Sequence, residues 1–193
     1  MIYIDDRINE LDIASALEKV SQQRREQALR FKHEQGKRTC LSAYLLLKRG
    51  LLEEYGIKEN PVFGYGEHGK PFLKDYPDIH FNFSHCSCAV ACILSNRPVG
   101  IDVECVRTVS ESVMRYAMNE EELASIRQSE NPMLQFARLW TKKEAAVKLI
   151  GTGITDNLKT VLQTPGLVFE TVECSERGYL YTVCRYQYVA TSV

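Results

Sequence analysis

The stretch CAVACILSNRPVGIDVEC (residues 88–105) holds two short runs divided by the turn residues of Ser95–Pro98. CAVACIL (88–94) is apolar throughout and of strand length, as expected for a strand buried on both faces. The run 99–105 alternates instead: Asp102 and Glu104 share one face, and Ile101, Val103 and Cys105 the other. Working outward, further strands are predicted at 61–66 and 79–84, with a turn at Gly66–Gly69. Before them, Ile13, Ala16, Leu17 and Val20 carry helical spacing. Leu41, Tyr44, Leu45, Lys48, Leu51, Leu52 and Tyr55 form one stripe of a helix over 36–55, which Gly56 is placed to end. After residue 105 a helical block returns, with Ser110 and Asn119 as N-caps and Glu122 completing a capping-box variant. Pro132 opens a long helix to Ile150, stopped by Gly151 and Gly153. YLYTVC (179–184) and YQYVAT (186–191) read as a hairpin. Helix-then-strands thus occurs twice. The expected fold class is α+β, with two similar lobes, 1–98 and 99–193, each a small antiparallel sheet against a long helix.

Bulk properties narrow the function. The 193 residues carry 24 Lys+Arg against 25 Asp+Glu, a formal charge of -1, which argues against coating nucleic acid or an anionic membrane. No apolar run approaches the ~20 residues of a bilayer span. The start MIYIDDRINE has acids at residues 5 and 6 and no apolar core, so no signal peptide and a cytoplasmic location are expected. Seven cysteines then read as reduced thiols. His85, Cys86, Cys88 and Cys92 invite a zinc reading, but paired Cys-x2-Cys halves are absent. Because the thiols at 86, 88 and 92 alternate through an expected strand, packing without metal is the expectation.

Three segments carry chemistry, each with a plain alternative. Asp102 and Glu104 converge on a hard cation such as Mg2+, or they simply solvate a strand face. In WTKKEAAVK (140–148), Trp140, Glu144 and Lys148 form one helix row. That row is either a surface ion pair beside an anchoring Trp, or a third carboxylate with a cation for phosphate oxygens. In FNFSH (81–85), the adjacent Ser84 and His85 suit anion donors better than a nucleophile–base pair. Lys70 projects from Gly69-Lys70-Pro71. Arg24, Arg25, Arg30, Lys37 and Arg38 are individually ordinary surface charges.

Jointly and in order, GKP (69–71), FNFSH (81–85), GIDVE (100–104) and WTKKEAAVK followed by GTG (151–153) resemble the 4'-phosphopantetheinyl transferase superfamily. The spacing looks like its Sfp-like group in the W-x-x-K-E-A form. The resemblance covers residues 24–153. It implies a pseudo-dimer of two α+β lobes with the active site between them. It further implies Mg2+ ligation by Asp102, Glu104 and Glu144. Coenzyme A contacts are implied at Lys70, Ser84, His85, Lys143 and Lys148, with His85 facing the 3'-phosphate, and at Arg38, Thr39 and Arg24. Gln27 departs from the pattern where a second Lys is frequent. The implied reaction is attack by a carrier-protein Ser hydroxyl on the β-phosphate of coenzyme A, with 3',5'-ADP leaving. Glu144, directly or through a metal-bound water, takes the proton, and Lys148 steadies the departing phosphate.

Two other classes remain open on the sequence. A non-catalytic coenzyme A-binding module would not need three acids, and an Mg-dependent phosphohydrolase would turn the same acids on water. The expected partners are coenzyme A and an acyl or peptidyl carrier protein, with neither nucleic acid nor membrane. An internally duplicated site favours a monomer.

Overall fold

The computed structural model describes residues 1–153 and 156–188. In chain order the elements are β1 (Ile2–Asp5), α1 (Ile13–Glu18), α2 (Gln22–Leu29), α3 (Glu34–Tyr55), β2 (Phe63–Tyr65), β3 (Pro71–Leu73), β4 (His80–His85), β5 (Val90–Ser95), β6 (Val99–Cys105), α4 (Glu111–Ala117), α5 (Glu120–Gln128), α6 (Pro132–Ile150), β7 (Leu167–Cys174) and β8 (Tyr179–Tyr186). Two three-stranded antiparallel sheets, ordered β1-β5-β4 and β6-β8-β7, make an α+β fold with the small β2-β3 ribbon.

The apolar run of β5 has a direct cause. Its alternate residues Val90, Cys92 and Leu94 meet α3 in one core, with Leu41, Tyr44, Leu47 and Leu51. The residues between them, Ala91 and Ile93, pack with Ala89 against Ile101, Val103 and Val183 of the second sheet. Both faces of β5 are therefore dry, and no polar residue is tolerated on either. On the far face of the second sheet, Cys184 and Phe169 meet Ala145, Ala146 and Leu149 of α6. The layers run α3, first sheet, second sheet, α6.

Helix ends follow their local chemistry. Gly56 and Gly151 take left-handed conformations at φ 70 and φ 84, closing α3 and α6. Asn119 and Glu122 form a reciprocal capping box on α5. Ser110 precedes α4 but makes no side-chain cap bond.

Two readings are corrected. The partner of β8 is β7, paired from Leu167↔Tyr186 to Cys174↔Tyr179, and not a strand over 186–191. Tyr186 belongs to β8 itself, and 189–191 lie outside the described residues. Cys86 and Cys88 sit in the β4–β5 turn rather than in a strand, so only Cys92 of that trio is buried in the sheet.

The two sheets meet at an unusual seam. Among the described residues β6 is an edge strand, and its outward N–H groups find no neighbouring ladder. Side chains of β4 take that place: Ile101 N–H donates to Asn82 Oδ1 at 3.0 Å, and Val103 N–H to Ser84 Oγ at 3.1 Å. A buried edge N–H left unpaired costs about 1–3 kcal/mol, so these bonds fix the register between the halves. They also fix Ser84 beside Asp102.

Candidate active site

A cleft of about 640 Å³ opens over this seam. Its walls include Lys70, Ser84 and His85 from the first half, and Asp102, Glu104, Trp140, Glu144 and Lys148 from the second. β6 contributes Asp102 and Glu104 by period-two alternation. α6 contributes Trp140, Glu144 and Lys148 as one row spaced four residues apart.

At the centre, Lys148 Nζ lies 2.6 Å from Asp102 Oδ1 and 2.9 Å from Ser84 Oγ. The Ser84 hydroxyl donates to Asp102 Oδ1 at 2.7 Å. That satisfies one oxygen only. Asp102 Oδ2 and Glu144 Oε1 are buried and find no hydrogen-bond partner among the described residues. Burial, then the Asp102 charge, pushes the Glu144 carboxyl above the ordinary glutamate range; Lys148 opposes this and Glu104 adds to it. Glu104 is raised mainly by burial, while the Cys105 N–H bond and Arg107 at 3.7 Å pull the other way. Buried carboxylates that repel one another and leave lone pairs unused suit a hard divalent cation. Asp102, Glu104 and Glu144 line the same cleft, with the Lys148 ammonium against Asp102.

Lys70 reaches across to the end of α6, donating to the Lys148 and Leu149 carbonyls at 2.6 and 3.0 Å. It thereby closes two carbonyls that the last helical turn leaves unbonded. Burial lowers its pKa. His85 is lowered too, first by burial and then by Lys148, with Asp102 opposing.

His85, Phe83 and Glu104 also line a second cleft of about 780 Å³, with Arg24, Gln27 and Thr39. There the Arg24 guanidinium lies over the rings of Tyr44 and Phe63, at 4.9 and 5.1 Å from their centroids. The two clefts are continuous in their lining, so an elongated anionic ligand can span them.

Two assigned residues are elsewhere. Lys143 is completely buried on the other side of α6, 2.8 Å from Glu122 Oε2 and donating to the Leu158 carbonyl at 2.6 Å. It is a structural ion pair and not a coenzyme A contact: of two adjacent lysines and a glutamate on one helix, only Glu144 faces the cleft. Arg38 turns to the Leu11 carbonyl at 3.3 Å and to Glu34 at 2.9 Å, away from both clefts. Conversely, the sequence pattern carries no signal for Asn82 and Arg107, although one holds β6 and the other faces Glu104. A strand-edge bond made by a side chain leaves no period to read.

Lys143→Met should lower unfolding stability by about 3 kcal/mol, because it strands the Glu122 carboxylate. Urea unfolding measures this, and KM for coenzyme A in the folded protein should not change. A raised KM with unchanged stability would return Lys143 to the ligand.

The family model described as the 4'-phosphopantetheinyl transferase superfamily matches residues 98–184. A 4'-phosphopantetheinyl transferase of Bacillus subtilis is 28% identical over 158 residues, 80% of this chain and 70% of the relative. The transferase Sfp of Bacillus subtilis strain 168 is 27% identical over 157 residues, with the same coverage. The transferase gsp of Aneurinibacillus migulanus reaches 34% over 138 residues, 70% of this chain and 57% of the relative. The matches run through the cleft motifs of both halves, and the chain belongs to the 4'-phosphopantetheinyl transferase superfamily.

Proposed function

We propose that this enzyme moves the 4'-phosphopantetheine group of coenzyme A onto a serine of an acyl or peptidyl carrier protein, releasing adenosine 3',5'-bisphosphate. The observation that carries the site assignment is the pair of buried oxygens, Asp102 Oδ2 and Glu144 Oε1, that find no partner among the described residues, in side chains lining a cleft with Lys148 in it. Asp102, Glu104 and Glu144 would hold Mg2+, which neutralises pyrophosphate charge. Lys148 is the cation for the departing phosphate oxygens. Glu144, raised in pKa and unbonded at one oxygen, takes the proton of the incoming Ser hydroxyl. Lys70, Ser84 and His85 orient the ligand, and Arg24 and Thr39 extend its path into the second cleft. The lobes are 1–98 and 99–193, and coenzyme A lies along their seam. A monomer suffices, since both halves of the site come from one chain. No helix among the described residues is long and apolar enough to cross a membrane.

Coenzyme A and Mg2+ incubated with and without a carrier protein test the reaction. Release of 3',5'-ADP only with acceptor is expected. Release without it would make the protein a phosphohydrolase, and no release would leave a binding module.

The ligand's 3'-phosphate gives a sharper check on His85. A charge-assisted hydrogen bond is worth about 1.5–3 kcal/mol, so dephospho-coenzyme A should bind about ten- to a hundredfold more weakly. This phosphate is remote from the transferred group, and the loss should fall on KM rather than kcat. His85→Ala should penalise coenzyme A more than the dephospho form. In a two-by-two comparison of kcat/KM, independent effects would remove His85 from the 3'-phosphate.

A further inference from the structure

We infer that Cys86, Cys88 and Cys105 form a three-thiolate site for a soft d10 cation, Zn2+, separate from the carboxylate site. Among the described residues these are the only three or more metal-ligating side chains whose donor atoms all lie within 4.8 Å of one another. Cys86 and Cys88 come from the β4–β5 turn, and Cys105 from the last position of β6. The trio therefore joins the first half of the chain to the second. Alternation through a strand gave no reason to expect this, because the turn places the 86 and 88 thiols together and the third ligand is 17 residues on from Cys88.

Burial, with the Cys105 sulfur adding to it, pushes the Cys86 and Cys88 thiols up, so a cation must displace their protons, and the donors around the cluster work in its favour. The N–H groups of Cys88 and Ala89 donate to the Cys86 sulfur, and the Cys88 N–H also points at the Cys105 sulfur. The Ser87 hydroxyl lies 3.1 Å from Cys105 Sγ. Backbone donors around a Cys-x-Cys turn are the outer contacts that orient sulfur ligands on a metal. Cys86 and Cys88 are half-buried and Cys105 is buried, so the cluster is shielded yet reachable.

Thiolate ligands select Zn2+ or Cu+ over Mg2+, which keeps this site distinct from the acids of the cleft. Zinc with Zn–S near 2.3 Å sets sulfurs about 3.8 Å apart. Cys88 Sγ and Cys105 Sγ are 2.7 Å apart, so zinc binding needs an outward rotation of the half-exposed Cys88 side chain. Binding exchanges three thiol protons for one cation, leaving a fourth position to solvent. The bound ion would pin the β4–β5 turn to the residue after Glu104.

The test uses the full chain, expressed with zinc and purified without chelators or oxidant. Elemental analysis should find one zinc per chain. Replacement by Co2+ should give sulfur-to-cobalt charge-transfer absorption, which carboxylate ligation cannot produce. Cys88→Ser and Cys86→Ser should weaken zinc by at least about a hundredfold, beyond the 10–100-fold cost of losing an outer-shell contact. Cys174→Ser, outside the cluster, and Glu144→Gln should both retain it, so failure here is separable from failure of the carboxylate assignment. Zinc no tighter in the reduced chain than in Cys88→Ser overturns the proposal. So does a Cys88–Cys105 disulfide in protein purified anaerobically, read by peptide mass mapping after denaturation in chelator.

Discussion

Asp102→Ala and Glu144→Gln should each lower carrier-protein modification by about 10³-fold or more while leaving the fold intact. A general base contributes about 10²–10⁴-fold, and a metal adds several kcal/mol of charge stabilisation. On the proposed assignment each variant removes a cation ligand, and the Glu144 change removes the base as well. Stability should move the other way. The folded Glu144 carboxyl is raised above the ordinary 4.5, so protonation is favoured in the folded state. Its stabilising contribution is therefore present below about pH 4.5 and lost as pH rises through the raised folded value. At neutral pH, without metal, the ionised group is a cost, and Glu144→Gln removes it. The melting temperature of metal-free Glu144→Gln should equal or exceed that of the parent. Mg2+ should raise the melting temperature of the parent but not of the variant, and its affinity for the parent should weaken as pH falls through the same window. Scanning calorimetry with and without Mg2+, and mass spectrometry of the carrier, give both answers. Turnover close to the parent in either variant removes these acids from the reaction.

The sequence was most legible where a single physical rule acts along consecutive residues. The stripe of α3, the capping box at Asn119, the Pro132 start of α6 and the alternation of β6 each come from short-range geometry, and each stands where expected. The row Trp140, Glu144 and Lys148 does face one cleft, as four-residue spacing requires. What escaped depended on distant partners. The segment of α2, QQRREQAL, has no apolar period, because it is held through Ala28 in the core and the Arg25 guanidinium on the Leu17 carbonyl. β1 is too short to stand out, yet its four residues pair with β5 from Ile2↔Ile93 to Asp5↔Val90. Lys142 and Lys143 look alike in the sequence. Only the approach of Glu122 from α5 makes Lys143 a buried structural cation. Family motifs locate a site well, but a neighbour's role inside a motif depends on which way the helix is turned.

Gly100→Ala should destabilise the protein by about 3 kcal/mol or more and slow the fraction that stays folded. The glycine opens the GIDVE stretch and looks like a motif letter, but its reason is spatial. A Cβ built there falls 2.0 Å from the Ala145 carbonyl oxygen and 2.7 Å from the Leu149 nitrogen. Both obstacles are α6 backbone, so no rotamer change relieves them. β6 and α6 would have to separate until the closest contact approaches the ordinary 3.4 Å. Overpacking a core costs about 1–3 kcal/mol when side chains can yield. A rigid backbone on both sides places this case at about 3 kcal/mol or more, a fall in melting temperature of roughly 6–12 °C. The separation has a catalytic consequence as well as a thermal one. β6 carries Asp102 and Glu104, while α6 carries Glu144 and Lys148, so any separation pulls the acids away from one another and from the lysine. A misplacement of about 1 Å can cost 10²-fold in rate. The folded fraction of Gly100→Ala, measured at low temperature where it survives, should therefore turn over at least about 10²-fold more slowly than the parent, with its Mg2+-induced rise in melting temperature reduced. If the variant melts and turns over like the parent, then β6 and α6 have room between them, and close backbone packing is not what sets the spacing of the four charged groups.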